Sequence, residues 1–275
     1  MKLASLVLGA ILTASFATPA VFADESPKAI ASRGMQALFV DFDATSASEL
    51  LAEDYIQHNP AVPTGAAPLI GFLPALKDSG LKLTTRRLIS EGDFVVAHNL
   101  YENAQALGGE TLIAFDVFRI DNGRLAEHWD NLAPLTRPNP SGRTQLDGPT
   151  EAEDLDKTAE NKALVTGFVE TILMRGEVDR ITDFISTETY LQHNSGIADG
   201  LDGLGAALAA MAEQGITMAY DELHLVVAEG SLIFTASEGT LGETSTAFFR
   251  PFPGRGWQDS GTLGCGFAHP RRNGS

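Results

Sequence analysis

Cysteine is almost absent from this chain. Cys265 is the single copy in 275 residues, so no disulfide can form within the chain and stability must come from an apolar core. Basic side chains are also scarce, with 19 Lys and Arg against 36 Asp and Glu and a net charge of −17. A surface of that sign repels phosphate backbones and anionic membranes, which sets nucleic-acid and lipid-surface partners aside. There is no HExxH, no HxH and no cysteine pair, so no metal is expected. GxSxG is missing, and Gly196, Gly200 and Gly203 do not follow a strand as a phosphate loop would. No cofactor is expected.

The start reads as an export signal. Lys2 precedes an uncharged apolar run from Leu3 to Phe16, and Val21-Phe22-Ala23 forms a small-residue cleavage site before Asp24. The run is too short for a spanning helix. A leader over 1–23 implies a periplasmic or secreted protein, with no membrane attachment after its removal.

Five residues occur almost twice. Tyr55-Ile56-Gln57-His58-Asn59 (YIQHN) returns as Tyr190-Leu191-Gln192-His193-Asn194 (YLQHN). Each copy is followed by a Gly-led apolar segment and then by strand-like runs, the pattern of a duplicated domain. Met35, Leu38, Phe39 and Phe42 lie at helical spacing, as do Val165, Phe168, Val169 and Ile172. A short helix through Ala47 to Leu51 precedes the first motif, and Ile181 to Ile185 plays that part before the second. A further helix over about 66–79 stops at Gly80 and its partner over about 201–214 at Gly215, with Pro74 expected to kink or split the first. Copy one then offers four strands, 81–90, 94–105, 110–120 and 124–132, the last two joined through Asn122-Gly123, a strong hairpin signal. Copy two offers three, 218–228, 232–240 and 244–249, and its fourth is missing. The expected fold is α+β: two tandem cone-shaped domains, each of three helices on a bent antiparallel sheet. The expected boundaries are 28–133 for domain one, 134–150 for a Pro- and Gly-rich linker and 151–249 for an incomplete domain two.

With these residues in hand, the chain resembles the SnoaL-like, polyketide cyclase-like proteins of the nuclear transport factor 2-like superfamily. The matching features are Tyr55 to Pro60 with Gly65, the strand Phe115-Asp116-Val117-Phe118-Arg119, and the turn and strand from Asp121 to Asp130. The resemblance implies an α+β cone and, by analogy with named members, cofactor-independent aldol-type cyclisation. The superfamily also holds pure binding proteins. Cones of this type often pair through their sheets, so the resemblance also implies an intrachain pseudo-dimer or a homodimer.

The end of copy two departs abruptly at Arg250, where Pro251, Pro253 and a series of glycines argue against a strand. Reading one base later from Phe249, the genetic code permits FDLFRVEDGKIREHWDV, which reproduces the segment that copy two lacks. Residues 250–275 are therefore read as an out-of-frame or disordered tail in which Trp257, Cys265 and His269 have no evolved role.

The chemistry is sought in an apolar pocket between the bent sheet and its helices, with converging polar groups. His128 and Asp130 share one strand face and Trp129 the other. Asp116 shares a face with Phe118 and Ile120, and His98 one with Val96. Asp130 or Asp116 would take a proton alpha to a carbonyl, while His58, His98 or His128 hydrogen-bonds the enolate. Tyr55, Asn59 and Phe118, with Tyr190 and His193 of the second copy, are the candidate contacts to a small apolar ligand. A structural role stays open for His128-Trp129-Asp130, as a paired His and Asp at a sheet end. It also stays open for Tyr55, Gln57 and Asn59 as partners of a helix end. His224, without a repeated partner, is read as structural.

Overall fold

The computed structural model describes residues 25–253 and 267–270. The expected leader and most of the tail, including Trp257 and Cys265, lie outside the described residues.

The first half opens with helix α1 (Pro27–Phe39), whose N-terminus is capped by the Ser26 hydroxyl. Gly34 lets α1 approach the sheet: a Cβ there would meet Leu125 Cδ1 at 2.4 Å. Helix α2 (Ala44–Leu50), capped by Asp43, leads directly into strand β1 (Leu51–Gln57). Helix α3 (Ala66–Ser79) follows and stops at Gly80, whose φ of 73° suits glycine. Pro74 does not split it. The proline lies on the exposed face, where the carbonyl left without a donor can turn to water.

Strands β2 (Lys82–Glu91), β3 (Phe94–Glu102), β4 (Thr111–Asp121) and β5 (Arg124–Pro134) form an antiparallel meander, and β1 adds to it parallel to β5. The sheet order is β1-β5-β4-β3-β2. The sheet is therefore mixed, not purely antiparallel. It also places the Tyr55 motif on a strand and the residues just beyond it, where a helix end was expected. Asn122 and Gly123 both take positive φ in the β4–β5 turn, as the hairpin signal requires. One face of the sheet packs on α1–α3 through Leu38, Leu50, Leu73, Leu76, Phe118 and Leu125.

In the second half, α4 (Thr158–Phe168) continues as a π-helical turn over Val169–Met174 and buries Val165, Phe168, Val169 and Ile172. Helix α5 (Gly200–Glu213) buries no residue fully. Strands β6 (Met218–Glu229), β7 (Leu232–Leu241) and β8 (Thr244–Pro253) pair antiparallel, and a short β9 (Phe267–Pro270) adds to β8. Two expectations fail here. The β8 strand runs through Arg250 to Pro253, and the sheet has a fourth, four-residue strand. Pro251 and Pro253 are two apart, so their missing N–H groups fall on one edge of β8, where β9, paired only with Thr246–Phe249, does not reach. Residues 190–194 form no strand beyond a single bridge at Gln192.

The two sheets face each other. Ile89, Val96, Ile113, Phe115 and Val117 of the first meet Val227, Leu232, Phe234 and Phe249 of the second in one apolar layer. The hairpin turns clasp across it. Glu91 accepts from Lys162 Nζ at 2.7 Å and from the backbone N–H of Ala228 at 2.9 Å; Glu229 accepts from Lys28 Nζ and from the N–H of Ser90 at 2.8 Å. The segment 134–150 is tied to both halves. Arg87 donates to the carbonyls of Leu146, Asp147 and Pro149, while Asn139 donates to those of Gln192 and Ile197. Among the described residues no helix is long and apolar enough to cross a membrane.

Candidate functional site

Register decides which of the expected residues meet. His128 pairs with Phe118 and Asp130 with Asp116 across β4 and β5, so both reach the helix-facing side. There the Nε2 of His128 lies 3.1 Å from Asp116 Oδ1, and the second Asp116 oxygen accepts from Asn99 (2.7 Å) and Tyr101 (3.1 Å). The other ring nitrogen of His128 lies 3.2 Å from Gln57 Oε1, and Phe118 stacks on the ring at 4.7 Å. All of these residues are buried. Burial alone would lower the His128 pKa, but the hydrogen bond to Asp116 and the charges of Asp130 and Asp116 outweigh it and hold it above the ordinary value. A doubly protonated ring donates to Asp116 and Gln57 together. Burial, with Asp130 and Asp116 nearby, likewise pushes the Tyr55 hydroxyl well up, so it stays protonated.

The three candidate histidines do not gather at one place. His98 pairs with Phe115, one position from Asp116, and therefore lies on the opposite face. Its Nδ1 meets Arg87 at 2.8 Å, and burial followed by the Arg87 charge drives its pKa well down. His58 also leaves the cluster. It stacks flat on Trp129 at 4.3 Å, with Nε2 2.9 Å from Glu127. Phe118 belongs to the core, stacked on His128. Tyr190 and His193 are buried far from the Asp116 cluster in chain and contact, with His193 Nδ1 2.9 Å from the Thr144 carbonyl. Sequence reasoning missed Asn99 and Tyr101. Alternation along β3 from Ala97 carried the signal, because Ala97 pairs with Asp116.

Asp130 stands between two environments. Its carboxylate accepts both of its Asn59 contacts (2.7 and 2.9 Å), and it lies beside the Asp116–His128 pair. It also lines a cavity of about 590 Å³ between the two sheets. His58, Asn59 and Trp129 share that wall, and Leu225, Ala236, Ala247 and Phe249 form the opposite one. The hollow is thus not inside the first cone, where one was expected, because Tyr55, Gln57, Tyr101, Phe118 and His128 fill that interior.

Among the described residues two clusters carry ligand-type atoms within 4.8 Å of one another: Asp116, His128 and Asp130, and the more exposed Glu222, His224 and Glu238. In the first, both His128 nitrogens already face Gln57 and Asp116, so a cation would have to displace those hydrogen bonds.

The family model described as SnoaL-like domain matches residues 33–128. The first half of the chain thus contains a SnoaL-like domain. Three solved structures are similar to about two fifths of the chain. TsrD from Streptomyces laurentii is 25% identical, covering 39% of this chain and 91% of that one, with a TM-score of 0.34. An NTF2-like protein of unknown function from Cytophaga hutchinsonii is 14% identical, covering 40% and 91%, with a TM-score of 0.33. IdmH from Streptomyces antibioticus, a candidate polyketide cyclase, is 18% identical, covering 39% and 92%, with a TM-score of 0.33. No curated protein matches the chain.

Proposed function

We propose that this is an exported, cofactor-independent lyase or isomerase acting on a small apolar carbonyl compound, with Asp130 as the proton-transfer group. The observation that carries this is the placement of Asp130: a carboxylate fixed by Asn59, beside the His128–Asp116 pair, on the wall of a cavity of about 590 Å³. Asp130 takes a proton from the carbon alpha to the carbonyl, and the electron pair moves onto the carbonyl oxygen as an enolate. His58, held through Nε2 by Glu127, hydrogen-bonds that oxygen. The enolate then regains a proton elsewhere, an isomerisation, or attacks a second carbonyl, an aldol closure. Positioned acid–base groups of this kind contribute about 10²–10⁴-fold. Asp130→Asn should therefore slow deuterium exchange at the alpha carbon, followed by NMR, at least about 100-fold with the fold retained. Wild-type exchange in the folded variant would end this reading.

A second reading, a non-catalytic carrier of small apolar ligands in the periplasm, draws on the closed hydrogen bonding of Asp116, His128, Asn99 and Tyr101, which leaves that cluster nothing to exchange. Ligand retention without any proton exchange would decide for it.

The organisation we infer is two tandem SnoaL-like units, at 28–133 and 151–249, paired through their sheets like a dimer. The exchanged contacts of Glu91 with Lys162 and Ala228, and of Glu229 with Lys28 and Ser90, support it, since a two-fold contact repeats each interaction reciprocally. The frameshift reading of 250–275 belongs with it. Arg250 pairs with Thr235 where Asp116 pairs with Ala97, and the shifted peptide places an aspartate there. The nucleotide sequence tests it: codons unable to encode the shifted peptide would refute it.

A further inference from the structure

The layer between the sheets contains the same structural position twice. In the first sheet, Arg87 pairs with His98 and His98 with Phe115. In the second, Leu225 pairs with Ala236 and Ala236 with Phe249. His98 and Ala236 are each the fifth residue of their strand, counted from turns at Glu91-Gly92 and Glu229-Gly230. The two trios thus hold one register on two sheets.

Their surroundings differ greatly. Arg87, His98 and Phe115, with Leu232, Phe234 and Pro251 opposite, leave a void of only about 20 Å³. The guanidinium fills the space, and its bonds to the Leu146, Asp147 and Pro149 carbonyls draw the connecting segment over it. Leu225, Ala236 and Phe249, with Phe94, Val117 and Trp129 opposite, border the cavity of about 590 Å³. A leucine and an alanine stand where an arginine and a histidine close the other site. Small side chains at these two positions keep the second site hollow.

We infer that this hollow is a small-molecule site whose selectivity is set by the second half of the chain, through Leu225, Ala236 and Ala247, and that it takes neutral or cationic, mostly apolar ring compounds. The inference deepens the reading of Asp130, whose reaction would occur in the same chamber. Size and lining suit one molecule of drug-like dimensions, held by apolar walls with a few polar groups at one end. The polar end carries Asp130 and His58, the latter on Glu127, and His224 across from them pairs with Glu238 at 2.8 Å. Carboxylates stand at the rim on both sides, on a chain of net charge −17. An anionic ring compound meets repulsion there that a neutral one does not. Trp129, stacked on His58, offers an aromatic edge to a planar ligand.

The test is a dye titration of the full chain. Neutral Nile red should bind at one site per chain, and the anionic 8-anilinonaphthalene-1-sulfonate at least tenfold more weakly, with the gap narrowing in high salt. The double variant L225R/A236H installs the pair that already fits this register in the other sheet, and should weaken Nile red binding at least tenfold. A236L fills the same space without charge and guards against misfolding of the double variant; circular dichroism and thermal melts report the fold of each. Unchanged Nile red binding in a folded filled variant, or tighter binding of the anionic dye, would overturn the inference. If D130N keeps wild-type proton exchange while the filled variants lose Nile red, the catalytic reading falls and the site stands.

Discussion

The two halves answer the same sheet position with opposite charges. Asp116 on β4 holds three buried polar partners, Asn99, Tyr101 and His128, whereas Arg250 on β8 reaches the Tyr220 hydroxyl and lies over the rings of Tyr220 and Phe248. The difference extends outward from that point. In the first half β5 follows, brings His128 to Asp116 and gives β1 a strand to pair with. In the second half the four-residue β9 follows, and the segment matching β1 makes a single bridge at Gln192; Gln192 and His193 also lean on Asn139 and Thr144 of the connecting segment. The helices follow suit: α3 buries Leu69, Leu73 and Leu76, while α5 buries nothing fully and leaves Leu208 exposed. One strand thus organises the polar interior, the edge of the sheet and the seat of a helix.

The largest test removes the centre of that organisation. Asp116→Ala leaves buried His128, Asn99 and Tyr101 without their shared partner and should cost about 3–5 kcal/mol in a denaturant melt, while Arg250→Ala should cost about 1 kcal/mol. Equal losses would break the comparison. Next, replacing the residues after Phe249 by DLFRVEDGKIREHWDV should put a full-length counterpart of β5 in place of the four-residue β9 and raise the melting temperature by about 5 °C or more. No change would deny β5 the organising role given to it here. A smaller effect is expected from pH. The folded pKa of His128 is raised, so its contribution is full below about 6.5 and fades as pH rises through the folded value. That of His98 is depressed, so its contribution holds above about 6.5 and fades as pH falls toward the folded value. His98→Phe should flatten the acid side of a plot of melting temperature against pH and leave the alkaline side alone. The smallest is Gly80→Ala, about 1 kcal/mol from the left-handed stop of α3.

Much of this was legible in the chain, and the rest failed for identifiable reasons. Strands β2–β5 and the helix stops follow from local signals: alternation, the Asn122-Gly123 turn and glycine at a left-handed position. Strand β1 did not, because Leu51–Gln57 is extended only through pairing with β5, some seventy residues away. The gathering of His98 with Asp116 failed by one residue of register, which alternation within a single strand cannot supply. The placement of the hollow failed because it depends on two sheets meeting, and on the contrast of Arg87 with Leu225, which no motif marks.

The reciprocal clasp of Glu91 and Glu229 has a consequence for dilution. Partners joined by a short tether see each other at millimolar effective concentration however thin the solution. A weakly folded second half would still be delivered to its seat every time it opens. That standing supply would let a sheet too weak to stand alone persist as a wall for its neighbour.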